Sequence, residues 1–144
     1  SVWPSLLRGA TLGLLESEYL DYQYGDRNLD GREQASAPPY QYSLSAEWTS
    51  PHGWMARADV RGCASFYFDT SNDQRSNAYT LVNLKAGYES GRWSVHAWGR
   101  NVFDEKYAVR GFYFGLEPPD FADKLYIQRG DPRLAGVTFT WSVL

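Results

Sequence analysis

Cysteine is almost absent from this sequence: Cys63 stands alone, so no internal disulfide can form. Long apolar runs are missing too. The longest extend for only a few residues, which excludes a membrane-crossing helix and the apolar stretch of a secretory leader. The opening Ser1-Val2-Trp3-Pro4 carries no basic segment, so a secreted form has already lost its leader or the sequence is internal to a longer one. Basic residues gather into no patch and the formal net charge is −3, which argues against nucleic acid as a partner. The mean hydropathy of −0.51 suits a soluble domain, but it equally suits a barrel whose every strand is wet on one side. Pattern has to separate the two.

Reactive constellations are also lacking. No nucleophile, base and orienting group come together, and no paired carboxylates have grounds for a raised pKa. Asp26-x-Asn28-x-Asp30-Gly31 matches half of a calcium loop, but Ala37 stands where the bidentate Glu belongs, so a polar turn is expected. His52 and His96 have no Cys or carboxylate cluster at ligand spacing. His96 is expected to line the wet side of a strand, and Cys63 to act as a small filler there. Gly9, Gly13, Gly87 and Gly91 make no phosphate loop. The expectation is a protein without catalytic residues, cofactor or metal site.

Aromatic residues, by contrast, reach 17 %, with 11 Tyr, 7 Phe and 6 Trp. Many fall in segments that alternate at period two, the signature of a half-buried strand. Tyr40–Trp48 sets Tyr40, Tyr42, Leu44, Ala46 and Trp48 against Gln41, Ser43, Ser45 and Glu47. Trp54–Phe68 sets Ala56, Ala58, Val60, Gly62, Ala64, Phe66 and Phe68 against Met55, Arg57, Asp59, Arg61, Cys63, Ser65 and Tyr67. Thr80–Glu89, Arg92–Phe103 and Leu134–Val143 alternate likewise, with Trp98 breaking the pattern; Arg8–Leu20 alternates less cleanly. The six segments are as long as bilayer-crossing strands, which need about 9–11 residues. They exceed the roughly 5–6 of a typical soluble strand.

The connections alternate in length as well. Ser50-Pro51-His52-Gly53 and Ser90-Gly91 are tight turns, whereas Asp21–Pro39, Asp69–Tyr79 and Asp104–Arg133 are long links. That is the layout of an outer-membrane barrel, with long outer loops and short periplasmic turns. Trp3, Trp48, Trp54, Tyr88, Trp93 and Trp141 all fall at the short-turn end, and Tyr40, Phe66, Phe68 and Tyr79 toward the other, as two interfacial belts. Arg57, Arg61, Lys85 and Arg100 share the polar face. A Lys or Arg on the lipid face costs roughly 2–4 kcal/mol near the midplane, so that face must look into the lumen. The aromatic loop with Phe112, Tyr113, Phe114, Phe121 and Tyr126 is the candidate for extracellular substrate contact.

The C-terminal third resembles that of TonB-dependent receptors. The resemblance rests on Trp93-Ser94-Val95-His96-Ala97-Trp98-Gly99-Arg100-Asn101-Val102-Phe103-Asp104, followed by Tyr107, and on Gly130-Asp131-Pro132-Arg133-Leu134-Ala135-Gly136-Val137-Thr138-Phe139-Thr140-Trp141. Tyr79–Tyr88 resembles the family's third strand from the end. Asn28-Leu29-Asp30-Gly31 with Ala37-Pro38-Pro39 resembles one of its recurrent loops. Gly136, Phe139, Trp141 and Val143 also fit the terminal signal read by the outer-membrane insertion machinery, although Leu144 departs from the usual Phe.

The resemblance implies an all-β, antiparallel transmembrane barrel, here about six C-terminal strands of a wall that in such plugged transporters has about 22. Residues 1–144 are then a partial barrel domain without plug or coupling box. The implied work is uptake of a scarce nutrient, most often ferric siderophore, at the cell outer membrane. The implied partners are outer-membrane lipid, a small metal chelate, the TonB energy-coupling complex through the missing N-terminal part, and the insertion machinery. Lumen-facing Arg57, Arg61, Asn83, Lys85 and Arg100 are the candidate substrate contacts. The alternatives are a porin-like barrel without TonB and a soluble antiparallel β ligand-binding module.

Overall fold

Alternation at period two dictates strands, and strands are what form. The computed structural model describes residues 4–143; Trp3 and Leu144 lie outside them. The strands are β1 (Ser5–Leu14), β2 (Gln23–Tyr24), β3 (Arg27–Asn28), β4 (Tyr40–Thr49), β5 (Trp54–Cys63), β6 (Tyr79–Glu89), β7 (Trp93–Arg100), β8 (Ala108–Phe114), β9 (Lys124–Arg129) and β10 (Leu134–Trp141). Six of them make one antiparallel sheet in the order β1-β4-β5-β6-β7-β10, leaving β1 and β10 as edges. The other four pair off as hairpins β2–β3 and β8–β9 within the long links.

β7 stops at Arg100 rather than Phe103 and β10 at Trp141 rather than Val143, and three larger differences from the sequence expectation stand beside these. The first strand is Ser5–Leu14, not Arg8–Leu20: beyond Leu14 the chain leaves the ladder, and Leu15 donates its N–H to Pro39. β5 stops at Cys63 instead of running to Phe68. There the alternation fails, because Cys63 and Ala64 are buried in succession. The link Asp104–Arg133 is largely the β8–β9 hairpin, not open loop.

The two faces of the sheet differ sharply. Register places Leu6, Trp48, Ala56, Ala86, Ala97 and Val137 in one row, all on the apolar side. The adjacent row on the opposite side reads Leu7, Glu47, Arg57, Lys85, Trp98 and Gly136. Among the described residues the apolar side has no second layer. Leu84 is 47 % exposed, Phe139 61 % and Val137 70 %, so these residues form no dry interior. A soluble sheet would have to cover them.

The tight turns close one end. Gly53, at φ +89, adopts a conformation that L side chains rarely tolerate, and its carbonyl accepts the N–H of Glu89 at 2.8 Å, which binds one turn to the other. At the opposite end the links pack into a small core of Cys63, Phe66 and Phe68, flanked by Tyr79, Ala108 and Leu125. Phe66, Phe68 and Tyr79 therefore do not form a second belt. The two Phe rings meet edge to face at 5.8 Å, and Tyr79 meets Tyr107 at a tilt of 38° with centroids 4.6 Å apart.

Candidate functional site

The polar face of β5, β6, β7 and β10 encloses a concavity of about 460 Å³. Cross-strand register brings its cations together. Arg57 lies between Glu47 on β4 and Lys85 on β6, and Lys85 lies opposite Trp98. Arg57 forks onto Asp59, two positions along the same face, with Nε–Oδ2 and Nη2–Oδ1 both at 2.8 Å, and reaches Glu47 at 3.1 Å. Its charge is thus satisfied within the wall. No carboxylate lies within ion-pair distance of Lys85 or Arg100 among the described residues; Arg100 instead sits 5.6 Å from the Trp98 ring centroid.

Trp98 broke the apolar alternation, and the structure explains why it can occupy the wet face. Its opposite number is Gly136, and a Cβ there would come within 2.6 Å of the indole, so only glycine leaves room. The indole N–H donates to Thr138 Oγ1 at 3.1 Å. His96 points to the same face, is 7 % exposed, and meets Glu89 Oε1 through Nε2 at 3.1 Å.

Of the residues expected to contact substrate, Arg57, Asn83, Lys85 and Arg100 line this concavity, and Arg61 does not. Arg61 lies further along β5, opposite Ser43 and Leu81. The concavity also does not contain the loop aromatics, and β8 splits those by parity. Phe112 and Phe114 share one face, with Phe112 stacked on Tyr126 at 5.7 Å, while the Tyr113 hydroxyl donates to Gln74 on the other. Asp59, Ser94, His96, Trp98, Thr138 and Thr140 line the concavity without having been singled out as contacts. Asp59 was legible from its position two residues after Arg57. Trp98 was legible only to someone who knew its partner strand.

Asn83 also works structurally. Its Oδ1 accepts the N–H of Asn101, which is 4 % exposed and holds a positive φ of 47°. The Asn101 amide donates to Glu105 O at 2.9 Å and Asp131 O at 3.1 Å, and its Oδ1 accepts the Glu105 N–H at 2.8 Å. Asp104 accepts the Arg133 N–H at 2.9 Å. Asn101 and Asp104 thus clamp the approach to β10 against the end of β7.

That clamp gives a physical meaning to the Gly-Arg-Asn-Val-Phe-Asp stretch and to the Pro-Arg ahead of the last strand. Residues 3–102 match the model of the family described as TonB dependent receptor-like, beta-barrel. The chain belongs to this family. It is therefore part of the barrel of an outer-membrane receptor; members of the family are transporters, and TonB acts on them generally. The soluble-module reading falls with this match and with the uncovered apolar face. The last strand lies beyond the matched residues, but β10 pairs with β7 from Leu134↔Arg100 to Trp141↔Trp93.

At the loop end of the TonB-dependent receptor barrel, two links are knotted together. The Tyr67 ring lies between the guanidiniums of Arg32 and Arg75, at 4.4 and 4.2 Å from its centroid. Asp73 receives Arg32 at 2.8 Å and Arg27 at 3.3 Å, and Glu33 receives Arg75 at 2.6 Å. The Arg32 hydrogen bond, with Arg27 beside it, holds the Asp73 carboxyl below the ordinary carboxylate range. Burial pushes Asp69 up, but hydrogen bonds from Ser71 and Asn72 outweigh it and leave that carboxyl lowered.

Both shifts are downward, so their stabilisation is complete above the unfolded carboxylate value of about 3.9 and is lost as the pH falls through the folded values. Amide protection, corrected for the intrinsic exchange rate, is expected to fall in residues 21–39 and 69–79 below about pH 4 while the sheet stays protected, since these links hang on the two aspartates. Uniform exchange across links and sheet at pH 3 contradicts this.

The calcium-like stretch is a turn. Asn28 Oδ1 accepts the Asp30 N–H at 2.8 Å, and Asp30 Oδ1 accepts that of Tyr22 at 2.6 Å.

Proposed function

We propose that this sheet is the C-terminal part of a larger closed receptor wall that admits an anionic metal chelate, with ferric siderophore as the best-fitting class. The observation that carries this reading is the charge of the wet face. Its carboxylates Glu47, Asp59 and Glu89 are outnumbered by Arg57, Arg61, Lys85 and Arg100, and Glu47 and Asp59 share the one guanidinium of Arg57. Arg61, Lys85 and Arg100 have no carboxylate partner among the described residues, which leaves positive charge facing the passage. Trp98 beside Arg100 adds a flat surface for an aromatic chelator. In this reading a plug and a TonB-contacting segment belong to the same receptor. Phe112, Tyr113 and Phe114 serve loop contacts, and β10 addresses the insertion machinery.

The aromatic group at the short turns supports the orientation. Trp54, Tyr88, Trp93, Phe139 and Trp141 form a chain of rings along the apolar face, with successive centroids 5.1, 5.5, 6.4 and 6.4 Å apart. Together with Trp48 it suits the periplasmic membrane interface.

The test is cargo binding to the intact receptor in detergent, followed by fluorescence quenching. A ferric catecholate or citrate complex is expected to bind, and Lys85→Gln with Arg100→Gln to weaken it tenfold or more, as the loss of charge-assisted contacts worth about 1.5–3 kcal/mol each implies. If a neutral cargo such as cobalamin binds instead, with no effect of the double substitution, the anionic reading is wrong.

A further inference from the structure

The apolar face carries one charge among its described residues, Arg8, and the observations around it indicate what that charge is for. β1 pairs with β4 so that Arg8 lies opposite Ala46, between Leu6 and Ala10 on the lipid-facing side. The register of β1 leaves no doubt about the face: Leu6 opposes Trp48, Ala10 opposes Leu44, and Leu12 opposes Tyr42. An arginine exposed to hydrocarbon near the midplane costs roughly 2–4 kcal/mol, falling to about 0–1 at the interface. Among the described residues no carboxylate lies within ion-pair distance of Arg8, and every other side chain of that face is uncharged.

Depth decides how Arg8 meets water or a headgroup. It stands three residues from Ser5, at the end of the sheet that carries the tight turns. At about 3.4 Å per residue and a tilt near 45°, that places its Cα only about 7 Å inside the strand's end. An extended arginine side chain spans that gap, so the guanidinium reaches the headgroup level while its stem stays on the sheet.

Beside it the same face is hollow. Ala46, Ala58, Ala86 and Ala97 floor a trough of about 630 Å³, walled by Leu6 and Trp48. Its volume lies within the roughly 300–1,000 Å³ of ligand clefts, and its lining is mainly apolar, with Arg57 and Lys85 of the same strands also bordering it. Because Arg8 faces Ala46 across the β1–β4 ladder, the charge stands at the trough's rim.

We infer that Arg8 and the alanine trough form a discrete site for one anionic glycerophospholipid of the periplasmic leaflet, with its phosphate on the guanidinium and one acyl chain in the trough. A planar guanidinium matches a phosphate with two parallel hydrogen bonds, which a choline-capped, net-neutral lipid weakens. The trough supplies what a lone surface arginine lacks, a fixed seat for the chain. The inference depends on the membrane placement of the sheet and not on the cargo, so a failed cargo assay leaves it standing, and its own failure leaves the cargo reading standing.

The experiment is native mass spectrometry of the intact receptor released from detergent, with dioleoyl phosphatidylglycerol or dioleoyl phosphatidylcholine added. Folding of each variant is checked by the gel-mobility shift on heating. The wild type is expected to retain one phosphatidylglycerol at roughly tenfold lower concentration than phosphatidylcholine, the preference that one charge-assisted contact of about 1.4 kcal/mol gives. Arg8→Gln is expected to abolish the preference. Ala58→Phe, which fills the trough and keeps Arg8, is expected to lower retention of both lipids. Equal retention of the two lipids by the wild type, or an unchanged preference in Arg8→Gln, overturns the site. Displacement of phosphatidylglycerol by added lipid A overturns the assignment to the periplasmic leaflet.

Discussion

Replacing Leu84 with Arg is expected to destabilise the barrel by about 2–4 kcal/mol, whereas Thr140→Arg is expected to change its stability by less than about 0.5 kcal/mol. Leu84 sits at the middle of β6 on the apolar face and opposes Ala58 and Gly99. An arginine placed there would leave the sheet on the apolar side, among Ala58, Ala86 and Ala97. Thr140 lies on the opposite face beside Ser94, where water or the passage solvates a guanidinium. Urea unfolding of the intact receptor from lipid vesicles reads both. Equal losses in the two variants would mean that the faces are assigned the wrong way or that both are dry.

The second large effect is expected at Asn101. Asn101→Ala removes two donated hydrogen bonds and one accepted bond at a site only 4 % exposed. It also asks alanine to hold a φ of 47°. Buried groups left unsatisfied cost about 1–3 kcal/mol each, so the sum is about 3–5 kcal/mol even if water repairs part of the loss. Asn101→Asp keeps the acceptor and tolerates the backbone angle, so it is expected to fall between. Limited proteolysis of residues 104–133 distinguishes a released clamp from general unfolding, because the cut then appears while the sheet still resists. An Asn101→Ala receptor as stable as the wild type would show that the clamp is ornamental.

How much of this was readable in advance follows from the physics of each part. The faces were legible because side chains alternate strictly along a strand. Arg57, Lys85 and Arg100 fell where parity put them, and so did Val60, Leu84, Val95 and Phe139. The strand ends were less legible, since a ladder stops where partners run out, and Leu15-Glu16-Ser17-Glu18-Tyr19-Leu20 still offers apolar and aromatic residues after it has left the ladder. Phe66 and Phe68 kept the period but left the sheet, because their partners are Ser76, Ala108 and Leu125 in distant links. The β8–β9 hairpin was hidden by its aromatics, which read as an unstructured recognition loop. The site was half legible: its cations follow from one strand at a time. Trp98 over Gly136 needs knowledge of which strands are neighbours. Arg8 went unremarked as the lone charge on the apolar face because its segment alternated poorly beyond Leu14.

The sheet described above has long strands but almost no side chains buried between layers; among the described residues the one dry cluster lies in the links. Cooperativity in such an object cannot come from a shared interior. It must come from the seam, where the outermost ladders find mates and the last unpaired peptide groups leave hydrocarbon, each worth several kcal/mol. A wall of this kind gains little from any one strand until the ring is complete, and then gains from all of them at once.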